Sequence, residues 1–170
     1  ALDAKIGCYV VDNFYELELL QELTSQRKQQ VNVLFRITPG VEAHTHEYIT
    51  TGQEDSKFGF DIESGQILKS LKLALSADFI NVLGLHSHIG SQIFETEGFS
   101  LAIEKCVQLM DHLEAETGWK LEVLNVGGGF GIRYDEADQP LPVEDYVDVI
   151  CAKVKEIWDA KGRTYPEIWI

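Results

Sequence analysis

A chain of 170 residues with 45% apolar and 10% aromatic side chains has the size of one domain and enough hydrophobic material for a sizeable core. Its 14 Lys and Arg stand against 28 Asp and Glu, a net charge of −14 that argues against nucleic acid or an anionic membrane surface held through a broad basic patch. No stretch reaches the ~20 apolar residues of a membrane span, and residues 1–5 lack the basic-then-apolar order of a signal peptide.

In chain order, residues 6–11 form the first short β-type run. Phe14, Leu17, Leu20 and Leu23 then share a helical face behind Asn13, a capping residue with Glu16 three positions on. A second β run covers residues 31–37. Residues 38–63 make a link far longer than the usual ~2–6 residues between strand and helix, which predicts an ordered loop over a ligand site. Ile67, Leu68, Leu71 and Leu75 form the next helix, followed by a β run at 80–89. Ile103, Cys106, Val107, Met110 and Leu113 mark a third helix stopped near Gly118, and residues 121–126 a fourth β run. Val147, Ile150, Val154, Ile157 and Trp158 mark a fourth helix, opened by Pro142 and closed near Gly162, before a last run at 167–170.

The β runs are rich in Val, Ile and Leu with weak polar alternation, as strands buried on both faces of a parallel sheet are. Strand followed by helix, four times over, predicts an α/β fold with right-handed crossovers. That leaves an open doubly wound sheet or a partial (β/α)8 TIM barrel of about five parallel strands with intervening helices. A complete barrel takes ~250 residues, so the second option implies a chain truncated at both ends. The start of the first strand six residues in, and the end of the chain on a strand, support truncation. Cys8, Cys106 and Cys151 are odd in number, show no CxxC spacing and fall in apolar periodic stretches. They predict buried free thiols and a reducing, cytoplasmic compartment.

Two segments carry candidate chemistry. His86-Ser87-His88-Ile89-Gly90-Ser91-Gln92 closes the third strand, where parallel α/β folds bind ligands. Alternation puts His86 and His88 on one face. The pair reads as metal ligands, with His44 and His46 repeating the spacing, or as buried, hydrogen-bonded histidines. Gly127-Gly128-Gly129 follows the fourth strand, and three consecutive glycines leave backbone N–H groups open to fold around an anion such as phosphate. One glycine would satisfy a tight turn. The segment matches neither GxGxxG nor GxxxxGK[ST]. With strands three and four as neighbours, Ser91 and the triple glycine adjoin, and a phosphate there leaves a flat ring within reach of His88. That arrangement favours a phosphorylated heteroaromatic cofactor over a bare metal.

The combination GLHSHIGSQ, NVGGGFGI and RITPGVEAHTHEYITTGQEDSKFGF resembles the alanine-racemase-like barrel of the ornithine and diaminopimelate decarboxylases, over residues 6–170 and in the expected order. The HTHEYITTG and DSKFG stretches and the GSQ ending look like the diaminopimelate branch. The resemblance implies the barrel fold and a pyridoxal 5'-phosphate cofactor. It implies that His88 stacks on the pyridine ring, that Ser91 and Gly127, Gly128 and Gly129 hold the phosphate, and that Arg36 lies near the ring. Residues 55–59 would flank the mouth, and no metal is implied. The resemblance further implies a cytoplasmic homodimer in lysine biosynthesis that converts meso-diaminopimelate, a small amino-acid substrate, to L-lysine and CO2.

On the same expectation, residues 1–170 are a segment of the cofactor-binding barrel domain, with a C-terminal β domain absent. The family's Schiff-base lysine belongs to an earlier strand and is missing, as is the Glu-Pro-Gly-Arg segment expected just after Ile170. None of the ten lysines stands desolvated at a strand mouth, so this chain alone is expected to be inactive. The competing readings are a non-catalytic cofactor-binding or structural module, a decarboxylase for another basic amino acid, and metal-dependent hydrolysis built on the four histidines of residues 44–88.

Overall fold

The structure is a computed structural model that describes residues 1–41 and 58–170. Six strands and four helices follow one another as β1 (Tyr9–Val11), α1 (Phe14–Arg27), β2 (Val31–Thr38), β3 (Phe60–Asp61), α2 (Gln66–Leu75), β4 (Ile80–His86), α3 (Glu97–Thr117), β5 (Val123–Asn125), α4 (Val143–Lys161) and β6 (Glu167–Trp169). All pairings are parallel, in the order β1-β2-β4-β5-β6, with the two-residue β3 beside the end of β2.

That order decides between the two architectures. A doubly wound sheet reverses its strand order at a switch point, whereas here each crossover steps to the next strand in the same direction. With right-handed crossovers, such winding puts all helices on one face, as in the wall of a barrel. The burial agrees. Val31, Val33, Phe35 and Ile37 of β2 join Leu17, Ile67, Ile103 and Ile150 of the four helices in one core, while Asn32 and Arg36 are only half-buried on the other face. The fold is the α/β barrel wall expected.

Local sequence explains the element ends. Asn13 accepts a hydrogen bond from the Glu16 N–H at 3.0 Å, and the Glu16 carboxylate reaches back to the Asp12 N–H at 2.7 Å, a variant of the capping box. Gly118 and Gly162 end α3 and α4 with φ of 72° and 61°. The third strand stops at His86 rather than at residue 89. Beyond that point β2 no longer pairs with it, and the Ser87 N–H is held from the β5 side, by the Asn125 carbonyl at 2.9 Å. The first and fourth runs are likewise shorter than expected, at Tyr9–Val11 and Val123–Asn125. Of the cysteines, Cys106 is buried and Cys8 half-buried, but Cys151 is exposed, which corrects the expectation of three buried thiols. On α4 the buried stripe runs Tyr146, Ile150, Val154, Trp158, and Cys151 sits about 100° away from it.

Candidate functional site

At the C-terminal edge of the sheet, Arg36 of β2 pairs with His86 of β4, His86 with Asn125 of β5, and Asn125 with Trp169 of β6. Register therefore sets four side chains in one row across the face opposite the helices, at the end where parallel α/β folds bind ligands. Two of them are linked: His86 Nδ1 lies 3.0 Å from Asn125 Oδ1. The same oxygen accepts the Gly127 N–H at 2.9 Å, an Asx turn that starts the glycine loop.

The loop has no room for side chains at two of its three glycines. Gly127 and Gly129 have φ of 74° and 86°; a Cβ on the first would meet the Ser87 carbonyl, and one on the second would overlap the Gly90 carbonyl. Around Gly128 there is open space. No described residue accepts a hydrogen bond from the Gly128 or Gly129 N–H. The His88 ring lies against this loop, its Nδ1 3.1 Å from where a Gly127 Cβ would stand and its Cε1 3.3 Å from the corresponding Gly129 position. Ser91, next to Gly90, is half-buried, with no described partner for its hydroxyl.

The two loops are fastened to each other. The Ile93 N–H donates to the Gly129 carbonyl at 2.9 Å and the Gly131 N–H to the Ile93 carbonyl at 2.8 Å. The Gln92 side chain donates to the Ile132 carbonyl and accepts its N–H, each at 2.9 Å. From α4, the Tyr146 hydroxyl donates to the Ile93 carbonyl at 2.7 Å while its ring stacks on Phe130, centroids 4.6 Å apart. On the other side of the row, Arg36 lies 3.4 Å from the Asp12 carboxylate and 4.7 Å over the Phe58 ring, and Asp12 also accepts the Gly59 N–H at 3.1 Å. Burial holds both imidazoles below the ordinary histidine range, and the Arg36 charge pushes the same way. Against this, the Asn125 contact and Asp12 draw His86 back up. Both rings are therefore neutral near pH 7.

All six expected site residues, Arg36, His88, Ser91, Gly127, Gly128 and Gly129, thus stand at this edge of the sheet. Asp12, Asn125 and Tyr146 belong to the same structure without a role expected from the sequence, and Gln92 figured there only as the last residue of the His86–Gln92 segment. Only Asn125 carried a signal, two residues ahead of Gly127 at Asx-turn spacing. His44, His46 and residues 55–57 lie outside the described residues. Among the described ones, no group of three or more His, Cys, Asp or Glu is placed to hold a metal ion.

A parallel barrel wall with free backbone amides at a triple-glycine turn and an imidazole against that turn is the mark of a domain that binds a phosphorylated aromatic cofactor. The chain belongs to the pyridoxal-dependent decarboxylases: the family model described as "pyridoxal-dependent decarboxylase, pyridoxal binding domain" matches residues 1–170. It is 56% identical over 170 residues to the diaminopimelate decarboxylase of Halalkalibacterium halodurans, and 54% to that of Bacillus subtilis. Each match covers 100% of this chain but 39% of the relative, so the chain spans about two fifths of the curated relatives' length. Among solved structures, the diaminopimelate decarboxylase of M. jannaschii in co-complex with L-lysine superposes with a TM-score of 0.85 at 35% identity, over 99% of this chain and 38% of that one.

Proposed function

We propose that residues 1–170 are a segment of the pyridoxal-phosphate-binding barrel of a decarboxylase that converts meso-diaminopimelate to L-lysine and CO2. One observation carries this reading. The unpartnered Gly128 and Gly129 amides, the open space at Gly128 and the His88 ring against the loop form a cradle that fits a phosphate with an aromatic ring beside it. The similarity of all 170 residues to diaminopimelate decarboxylases, and to a solved one in co-complex with L-lysine, supports this choice of reaction.

In that role Gly128 and Gly129 hold the phosphate through backbone N–H groups and Ser91 adds its hydroxyl. The Ile93–Phe130 bridge and the Gln92 clamp keep the two loops in place before binding, so little order is lost on it. His88, whose ring lies against the glycine loop, would pack on the cofactor ring without adding a charge to it. Arg36, braced by Asp12, would supply a fixed positive charge from β2 to the bound cofactor. The bound cofactor supplies an electron sink for the electrons released as CO2 departs. None of the nine lysines among the described residues lies on a strand. The full protein would work as a cytoplasmic homodimer. Among the described residues no helix is long and apolar enough to cross a membrane, and the net charge of −14 speaks against a nucleic-acid partner.

The test uses the natural full-length protein supplied with pyridoxal phosphate. Release of CO2 and L-lysine from meso-diaminopimelate, in preference to lysine or ornithine as substrate, is expected. Preference for another amino acid would replace the assigned substrate, and failure to take up the cofactor would remove the reading. The 170-residue chain alone is expected to give no turnover and, after borohydride treatment with the cofactor, no labelled lysine. A covalent adduct on one defined lysine would contradict that.

A further inference from the structure

His86 was read from the sequence as a metal ligand or a buried structural histidine, and the reading above assigns it no role. Its surroundings are nonetheless specific. The Gly127 N–H is a donor and nothing else, so the Asn125 side-chain atom 2.9 Å from it is the amide oxygen. That fixes which way the Asn125 amide faces. The same oxygen is 3.0 Å from His86 Nδ1, and an oxygen that can only accept requires a proton on Nδ1. The neutral ring therefore carries its proton on Nδ1 and its lone pair on Nε2. No described residue hydrogen-bonds Nε2. The two nitrogens point out of the ring in widely different directions. Nδ1 is turned along the row toward Asn125 of β5, and Nε2, without a hydrogen-bond partner among the described residues, belongs to a half-buried ring in the row that Arg36, His86 and Asn125 form across the sheet.

We propose that His86 is a ligand-contacting residue, a hydrogen-bond acceptor of fixed tautomer whose Nε2 takes a proton-bearing group, hydroxyl or ammonium, of the molecule seated on the glycine loop, and that Asn125 is the positioning residue that sets this tautomer. The relay Gly127 N–H to Asn125 Oδ1 to His86 Nδ1–H ties the two ends of the site together: the turn that opens the phosphate loop also decides which ring nitrogen accepts. Arg36 opposite is donor-only, so the pair offers a ligand one donor and one acceptor side by side. The charged or titratable groups around His86 are Arg36 from β2, His88 from its own strand end and Asp12 from the end of β1; β5 and β6 bring Asn125 and Trp169, which carry no charge. The inference concerns the same site as the proposed function and rests on it for the nature of the ligand.

The experiment is nitrogen NMR of the natural full-length protein labelled with 15N in its histidine rings, before and after addition of pyridoxal phosphate, with His86→Gln to assign the signal. Expected without ligand is a protonated Nδ1 and a bare Nε2 for His86. Asn125→Leu should let the two tautomers mix. Asn125→Asp keeps the acceptor and folds where the leucine variant fails; it should hold the Nδ1 proton but charge the ring at a pH higher by about 1–3 units. On loading the cofactor, Nε2 of His86 should move toward the hydrogen-bonded position. His86→Gln, which can still accept near Nε2, should keep the cofactor affinity within a few-fold. His86→Asn, which preserves only the contact to Asn125, should lose about tenfold, the worth of one hydrogen bond. A proton on Nε2 in the unliganded protein, or a cofactor that shifts His88 and leaves His86 unmoved, would overturn the inference while sparing the proposed function. A spectrum in which neither ring responds would remove both.

Discussion

Of the three glycines, Gly127 and Gly129 are held by backbone shape and close neighbours, whereas Gly128 faces open space at an ordinary φ. The two kinds of position separate folding from binding. Gly129→Ala puts a Cβ onto the Gly90 carbonyl at positive φ and should destabilise the protein by about 1–3 kcal/mol, read as a lowered Tm. Gly128→Ala should leave Tm within experimental error but weaken cofactor binding, because the methyl group occupies the cradle itself. Equal losses of Tm in both variants would mean that the loop is merely a tight turn. The thiols offer a second test at this scale. Burial pushes the Cys106 thiol up to about 11, and Cys8 is raised the same way, whereas Cys151 is exposed. An aromatic disulfide reagent at pH 8 should therefore modify Cys151 first and Cys106 only after unfolding. Comparable rates for all three would contradict the placement of α3 and α4. Residues whose role is set by backbone freedom, the glycines above all, were legible in the sequence because residue type alone announces them. Asp12 was not, since its meaning comes from the Arg36 side chain beside it, and Asn125 announced its turn with Gly127 but not its contact with His86, which strand register sets.

Elements were easier to read than their ends. Asn13, Gly118, Pro142 and Gly162 punctuate the helices through local chemistry, and the structure places helix termini at each of them. Strand lengths depend instead on where a neighbour stops pairing, which no single segment reveals. The same is true of the irregularity in β4. Val33 pairs with Val82 but Leu34 with Gly84, so Leu83 is an extra residue in the ladder. Its effect is absorbed from the β5 side: the Trp119 indole N–H donates to the Val82 carbonyl and the Glu122 N–H to the Leu83 carbonyl, both at 2.9 Å. Gly84 is required beside it, since a Cβ there would run into the Val123 carbonyl. Trp119→Phe keeps much of the buried ring but leaves the Val82 oxygen without its donor, and should cost about 1–3 kcal/mol in denaturant unfolding. A loss below ~0.5 kcal/mol would show that the bulge carbonyl finds water or another donor.

At the scale of the molecule, the winding of the sheet is the feature that turns a list of strands into a site. Because every crossover steps the same way, the helices cover one face and the row from Arg36 to Trp169 occupies the other. The alternation of strand and helix left a doubly wound sheet open, the family resemblance chose the barrel wall, and the observed strand order agrees with that choice. Among the described strands, β1 and β6 are each paired on one side only, and Val10 and Ile170 near those edges are 46% and 55% exposed. Open parallel edges of this kind recruit further strands. The 170-residue chain produced alone should therefore self-associate on a sizing column as its concentration rises, and a monodisperse monomer at high concentration would contradict that expectation. The central claim, that the turn at Gly127–Gly129 and the His88 beside it hold the cofactor, is tested most directly by a crystal structure of the full-length protein grown with pyridoxal phosphate. The phosphate should lie against the Gly128 and Gly129 N–H groups and the Ser91 hydroxyl, with the ring against His88. A phosphate seated elsewhere on the barrel, with these amides facing water, would refute it.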